Sequence, residues 1–278
     1  PVFVEGSGYQ GTLKAHLGAL AGVAVGGGDL GRLVVIGSTL VWLLGVAGTM
    51  ALGRRLGGTL PGLVAGLFLA LSPRFATIFS VNNVGEYPDV IGLGALALAW
   101  TAALGATECR GFAARWAYFG IGALIGVAMW QQPIAASFGL AAFGLLGARA
   151  LAQRDPWFLA AFVGLAFGRA PVLLADVSNV KAVGGFLALA GRTLTPAEHI
   201  KGTFGWAFPV TFTGLANDND WPDAARLSLG FLCAGVVSCL AIGARDEIRS
   251  ARVTGRFEGV RIMALLQFAS CLAFIWLV

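Results

Sequence analysis

Charge is scarce in this chain. Only 12% of its 278 residues are Asp, Glu, Lys or Arg, about half the share usual in soluble domains. So few ionised groups argue against a soluble enzyme, a disordered chain or a nucleic-acid binder. Histidine is limited to His16 and His199, too few for a histidine metal cluster. The four cysteines, Cys109, Cys233, Cys239 and Cys271, show no CxxC spacing, and three of them lie in apolar runs. Neither a disulfide framework nor a zinc site follows from them. The chain starts at Pro1 without the charged stretch and short apolar run of a signal peptide. An inverted repeat between the two halves, the usual mark of a transporter, is also missing.

Apolar residues dominate instead. They make up 57% of the chain, with a mean hydropathy of +0.80. A membrane crossing needs about 20 consecutive apolar residues, and eight runs qualify, near 33–53, 58–73, 89–106, 115–130, 133–150, 157–174, 226–243 and 261–278. The expected fold is all-α, a polytopic transmembrane helix bundle of about eight spans with outer-face loops and short interfacial helices. The apolar but short, Gly-rich run from Thr12 to Val25 reads as an interfacial or re-entrant helix, with a tilted full span as the alternative. Residues 1–278 then form a single transmembrane domain. It comprises an outer loop and interfacial helix (1–32), core spans (33–174), an outer loop (175–225) and two further spans (226–278).

Loop charges orient this bundle. Arg54 and Arg55, Arg110 and Arg115, Arg149 and Arg154, and the group Arg245, Arg249, Arg252, Arg256 and Arg261 occupy alternate loops, and hold more than half of the 19 basic residues. Such an excess marks the cytoplasmic side. The mixed-sign run ARDEIRSARVTGRFEGVR reads as a solvated cytoplasmic loop set against anionic lipid. Glu5, Asp29, Glu86, Asp89, Asp176, Glu198, Asp218, Asp220 and Asp223 fall on the other side. Pro1 lies outside in this topology, so an earlier in-to-out span and part of its outer loop are expected before it. Among 41 glycines, the pairs Gly18/Gly22, Gly62/Gly66, Gly122/Gly126 and Gly164/Gly168 have the spacing that lets helix backbones approach closely in lipid.

Polar chemistry collects on the outer face. In SPRFATIFSVNNVGEYPD, Arg74, Asn82, Asn83, Glu86, Tyr87 and Asp89 crowd a connector between two spans. Such a set suits hydrogen bonding to a sugar or phosphate headgroup, with arginine as a forked donor to phosphate oxygens. Asp89 reads equally as a helix N-cap. WQQP at 130–133 joins two spans with almost no loop, and Pro133 fits the first turn of the next helix. Trp130 suits either an interfacial belt or a sugar cavity, and Gln131 and Gln132 lie within reach of a headgroup. Arg169, inside FVGLAFGRAPVLLA, is the most informative intramembrane charge. It is costly there unless it is paired, faces water or snorkels to headgroups. In the outer loop Ala175–Ala225 an amphipathic FGWAFPVTF precedes the acidic NDNDWPD, where a divalent cation is conceivable although Asp/Asn turns are commoner.

Four stretches carry a family resemblance. EGSGYQGTLKAHLGAL with Tyr9, SVNNVGEYPDVIGLGAL, GIGALIGVAMWQQPIA and AFVGLAFGRAPVLLADVSN follow one another across Val2–Asn179. In order and spacing the chain resembles the polyprenyl-phosphate-dependent glycosyltransferases of the GT-C superfamily, in the bacterial branch related to dolichyl-phosphate-mannose protein mannosyltransferases. It departs from the pattern at Ser7, where Gln is usual, at Lys14, where Glu is usual, and at Arg169, where a small residue is common.

The resemblance implies transfer of a sugar, with inversion, from a polyprenyl phosphate to a glycan, lipid or protein acceptor outside the bacterial cytoplasmic membrane. In such enzymes an acidic residue in the first outer loop is the general base, and here that loop is expected upstream of Pro1. Glu86 and Asp89 are then auxiliary carboxylates, while Arg74 and Arg169 are phosphate partners. Asn82, Asn83, Tyr87, Trp130, Gln131 and Tyr9 shape the donor site. A piece without its principal base is expected to be inactive alone. The competing reading is a multi-span transporter or a flippase for lipid-linked sugars.

Overall fold

The computed structural model describes residues 13–71, 87–107, 111–171, 235, 237–250 and 259–277. Every regular element among these residues is a helix. In chain order the helices are α1 (Leu13–Val25), α2 (Leu30–Gly57), α3 (Thr59–Ala70), α4 (Tyr87–Gly105), α5 (Phe112–Gln131), α6 (Ala136–Gln153), α7 (Leu159–Gly168), α8 (237–250) and α9 (Val260–Leu277). Short 3-10 turns at Pro133–Ala135 and Pro156–Phe158 link α5 to α6 and α6 to α7.

Local chemistry sets several of these boundaries. Asp29 accepts a hydrogen bond from Gly31 N–H (3.2 Å) and caps α2, as its short carboxylate favours. At the other end Gly58 adopts φ 94°, which glycine tolerates best, so α2 turns at once into α3. Glu247 of α8 accepts from the Val260 and Arg261 N–H groups at 3.1 and 3.2 Å. The mixed-sign loop, expected to be merely solvated, thus contains the N-terminal cap of α9. Glu247→Ala is expected to cost about 1 kcal/mol, measurable as a lowered Tm in detergent.

Of the eight expected spans, three correspond among the described residues to helices long and apolar enough to cross a membrane, Gly31–Gly57, Phe112–Gln131 and Ala136–Gln153. Over the residues whose side chains are described, Thr59–Ala70, Asp89–Gly105, Pro156–Gly168, Val260–Ser270 and Leu13–Ala24 are shorter apolar stretches, although α4 and α9 run to 19 and 18 residues. The 226–243 run lies largely outside the described residues, and α3 is short for geometric reasons. At about 1.5 Å per residue a twelve-residue helix extends only about 18 Å, against about 30 Å of hydrocarbon. Hydropathy of the 58–73 run does not register the end of α3 at Ala70.

Small residues line the interior while large ones face outward. Ala97, Ala102, Ala114, Ala141, Ala142 and Ala161 are buried in the main core with Tyr118, Ile121, Leu146 and Met263. Leu60, Leu67, Phe68, Phe162, Val163 and Phe167 are exposed. This distribution suits lipid rather than water, because close backbone approach replaces a hydrophobic drive between helices.

All four glycine pairs sit at helix contacts. A Cβ on Gly122 would strike the Ala161 carbonyl oxygen, and one on Gly164 the Phe119 carbonyl oxygen, so α5 and α7 meet backbone to backbone. Gly62 and Gly66 lie against Arg54 and Met50, and Gly18 and Gly22 against Leu33. Gly45 and Gly92 face each other where α2 crosses α4.

The same packing gathers the arginine-bearing ends. Leu52, Leu56, Leu104, Ala114, Leu146 and Val260 share one cluster, near Arg54, Arg115, Arg149 and Arg261 in sequence. A second cluster, Val41, Val90, Leu93, Ala128 and Ala135, lies toward the opposite end. The candidate site belongs to that end.

Candidate functional site

Two helices riding on α2 bring opposite charges together. α1 packs on α2 through Gly18 and Gly37, the latter close to the Lys14 carbonyl and the Leu17 Cβ. α4 crosses α2 at Gly45 and Gly92. Lys14 in the first turn of α1 and Asp89 in the first turn of α4 thereby meet, with Nζ 3.6 Å from Oδ2. Each side chain is only 1% exposed. Burial of both charges makes the pair a fixed strut between α1 and α4, since either ion alone is costly to bury.

The pair changes the reading of Asp89. The helix already includes Tyr87, so Asp89 lies inside its first turn rather than at the N-cap. Its carboxylate engages an ammonium, which suits a positioning role better than a free auxiliary base. In the sequence Lys14 stands out only as a departure from a family pattern. The signal that marks it is physical: a lone lysine in the apolar run TLKAHLGAL needs a partner.

A second link ties α1 to α5. His16 and Trp130 stack edge to face, with ring centroids 5.9 Å apart and planes at 62°. Trp130 is therefore held inside the bundle rather than standing free as a belt residue. The next two residues end the helix. Gln132 is extended (φ −154°, ψ 132°), its N–H bonded to the Ala128 carbonyl. Pro133 opens the 3-10 turn before α6, as expected for a residue without an N–H.

Gln131 is 0% exposed. Among the described residues, neither its amide nitrogen nor its amide oxygen has a hydrogen-bond partner, and the Gln132 amide nitrogen also lacks one. Buried amides are almost always paired, and leaving one unmade costs about 1–3 kcal/mol. An amide that keeps a donor and an acceptor together inside a bundle suits a ligand hydroxyl, which can accept and donate in turn.

Arg169 caps the C-terminal end of α7, its N–H bonded to the Leu165 carbonyl at 3.0 Å. It is half-buried, and its Nε has no acceptor among the described residues. Its backbone lies against Gly126 of α5. Gly126 and Trp130 share one face of α5, whereas Gln131 is turned about 140° from Gly126 at 3.6 residues per turn. Arg169 and Gln131 thus occupy different faces of the same helix. Trp130, Gln131, Asp89 and Arg169 gather at one end of the bundle, but only Asp89 and Trp130 are joined to α1.

Tyr9, Arg74, Asn82, Asn83 and Glu86 lie outside the described residues, as does the side chain of Tyr87, whose backbone begins α4. The acidic NDNDWPD segment is outside them too. Among the described residues, no group of three His, Cys, Asp or Glu side chains could hold a metal ion.

Comparison with known proteins finds no family model that matches the chain, and no match among curated proteins or solved structures.

Proposed function

We propose that this chain belongs to a membrane glycosyltransferase that moves a sugar from a polyprenyl phosphate to an acceptor at the outer face of the bacterial cytoplasmic membrane. The observation that carries the reading is Gln131, wholly buried with both amide atoms unpaired, at the end of the bundle remote from the arginine-bearing loops. A hydroxyl-rich donor supplies the pairing such an amide requires. The order of the four family-like stretches and the arginine bias of alternate loops support the same reading.

In this reaction the acceptor oxygen attacks the anomeric carbon as the bond from that carbon to the phosphate oxygen breaks. Configuration inverts, and the acceptor proton passes to a carboxylate in the first outer loop. The electron pair leaves on the lipid phosphate. Arg169, with Nε available, meets the charge developing there, where preorganised donors contribute most. Gln131 orients sugar hydroxyls from the adjoining face of α5, with Trp130 between it and Arg169 around the helix. Lys14 and Asp89 hold α1 and α4 in place around the site. The family resemblance adds Arg74, Asn82, Asn83, Glu86, Tyr87 and Tyr9 to this donor site.

The test is sugar transfer by the intact protein in membranes. Arg169→Ala is expected to lower kcat about 100-fold. Gln131→Leu is expected chiefly to raise KM for the lipid-linked sugar, with expression unchanged. Wild-type turnover in both variants would overturn the assignment.

A further inference from the structure

A second site lies at the opposite end of the molecule, between the last turns of α2 and the first turns of α3. A cleft of about 740 Å³ opens there, lined by Met50, Arg54, Arg55, Thr59 and Leu63 among others. Glycine contacts shape it. Gly62 lies against the Met50 carbonyl and the Arg54 backbone, and Gly53 against Gly62. The two helices therefore touch along one line and leave the space beside it open.

The chemistry of the lining is cationic. Arg54 and Arg55 are exposed, and neither forms an ion pair with a carboxylate among the described residues. The favourable field at the end of α2 accounts for one or two cations there. It does not account for what stands opposite them. Thr59 adds a hydroxyl, and the N-cap of α3 is Gly58, which gives no side-chain hydrogen bond to the helix's first N–H groups. Two guanidinium forks and a hydroxyl line one cleft, and that donor set fits a phosphate.

The apolar surface beside the cleft narrows the ligand class. Leu60, Leu63, Val64, Leu67, Phe68 and Leu71 are all exposed. Their spacing of three and four residues places them on one continuous face, leading away from the arginines. α3 spans Thr59–Ala70, about 18 Å of helix at 1.5 Å per residue. That is close to the depth of one leaflet, half of about 30 Å. A cationic cleft at one end and an apolar face one leaflet long match a phosphate carrying acyl chains, not a free anion.

We infer that the Arg54–Arg55–Thr59 cleft binds the phosphate of an anionic glycerophospholipid, whose acyl chains lie along the exposed face of α3. The site is independent of the proposed transfer reaction and sits at the other end of the bundle.

Native mass spectrometry of the detergent-purified protein tests this. Phosphatidylglycerol is titrated against phosphatidylcholine of the same chains, and against soluble glycerol 3-phosphate. The wild type is expected to retain phosphatidylglycerol preferentially and to bind glycerol 3-phosphate far more weakly. The double substitution Arg54→Gln, Arg55→Gln is expected to weaken phosphatidylglycerol about 30-fold, the product of two ordinary surface arginine contributions. The control Arg245→Gln, Arg249→Gln, which alters exposed arginines of α8, is expected to leave binding unchanged. Equal retention of the two lipids by the wild type would overturn the inference, and that comparison needs no variant to fold. Glycerol 3-phosphate binding as tightly as the lipid would assign the cleft to a free phosphate and overturn it too. An equal loss in the control would reduce the effect to net charge, and the cleft would then have no selective role.

Discussion

Asp89→Asn is expected to destabilise the folded protein by about 3–5 kcal/mol, the usual result of removing one member of a buried ion pair. The reason lies with Lys14. It is 1% exposed, so its ammonium loses the carboxylate 3.6 Å away and gains no water in exchange. Lys14→Met is expected to cost less than Asp89→Asn, since the thioether suits an apolar pocket and the remaining carboxylate sits at the start of α4, where the helix dipole favours it. The double variant Lys14→Met, Asp89→Leu is expected to recover much of the loss, because apolar replacements of a buried pair are often neutral or stabilising. Unfolding of the four proteins in detergent, arranged as a double-mutant cycle, gives the coupling directly. Additive losses would show that the pair contributes nothing beyond its separate side chains.

Gly122→Ala and Gly164→Ala form the second strong expectation. At each position the new methyl group would fall on a carbonyl oxygen of the facing helix, Ala161 for the first and Phe119 for the second. Backbone cannot step aside as a side chain can, so α5 and α7 must separate. Overpacking of this kind costs about 1–3 kcal/mol. Gly147→Ala provides the contrast. Its methyl group would approach the Phe158 ring edge at 3.6 Å, an ordinary van der Waals contact. Replacing a helical glycine there is expected to be neutral or to stabilise by up to about 1 kcal/mol. If all three alanine variants melt together, the glycine contact between α5 and α7 is not what holds these helices.

These expectations separate what the sequence discloses from what it withholds. The helices are legible because each apolar run persists for many residues, and hydropathy reads such runs without knowing their neighbours. The spacing of Gly122/Gly126 and Gly164/Gly168 is legible as an interface for the same reason, being local to one helix. Which helices meet is not, because a partner across the chain leaves no local trace. Lys14 and Asp89 illustrate this, standing far apart in sequence and joined only because α2 carries both of their helices. Gln131 shows a second limit. Its position at a helix end is plain, but complete burial depends on α5 being surrounded. The length of α3 shows a third, since a run of apolar residues continues past the point where the helix itself ends.

The α5–α7 contact also bears on how the molecule is made. It is the most extensive helix pair among the described helices, yet α6 lies between its members in the chain and packs mainly against α4 and α9. A ribosome delivers α5 well before Gly164 and Gly168 exist. For that interval the Gly122–Gly126 face has no partner helix, and whatever shields it, lipid or the insertion machinery, must yield when α7 arrives. Biogenesis of this protein therefore includes an obligatory wait, whose length is set by the residues of α6 and the turn after it.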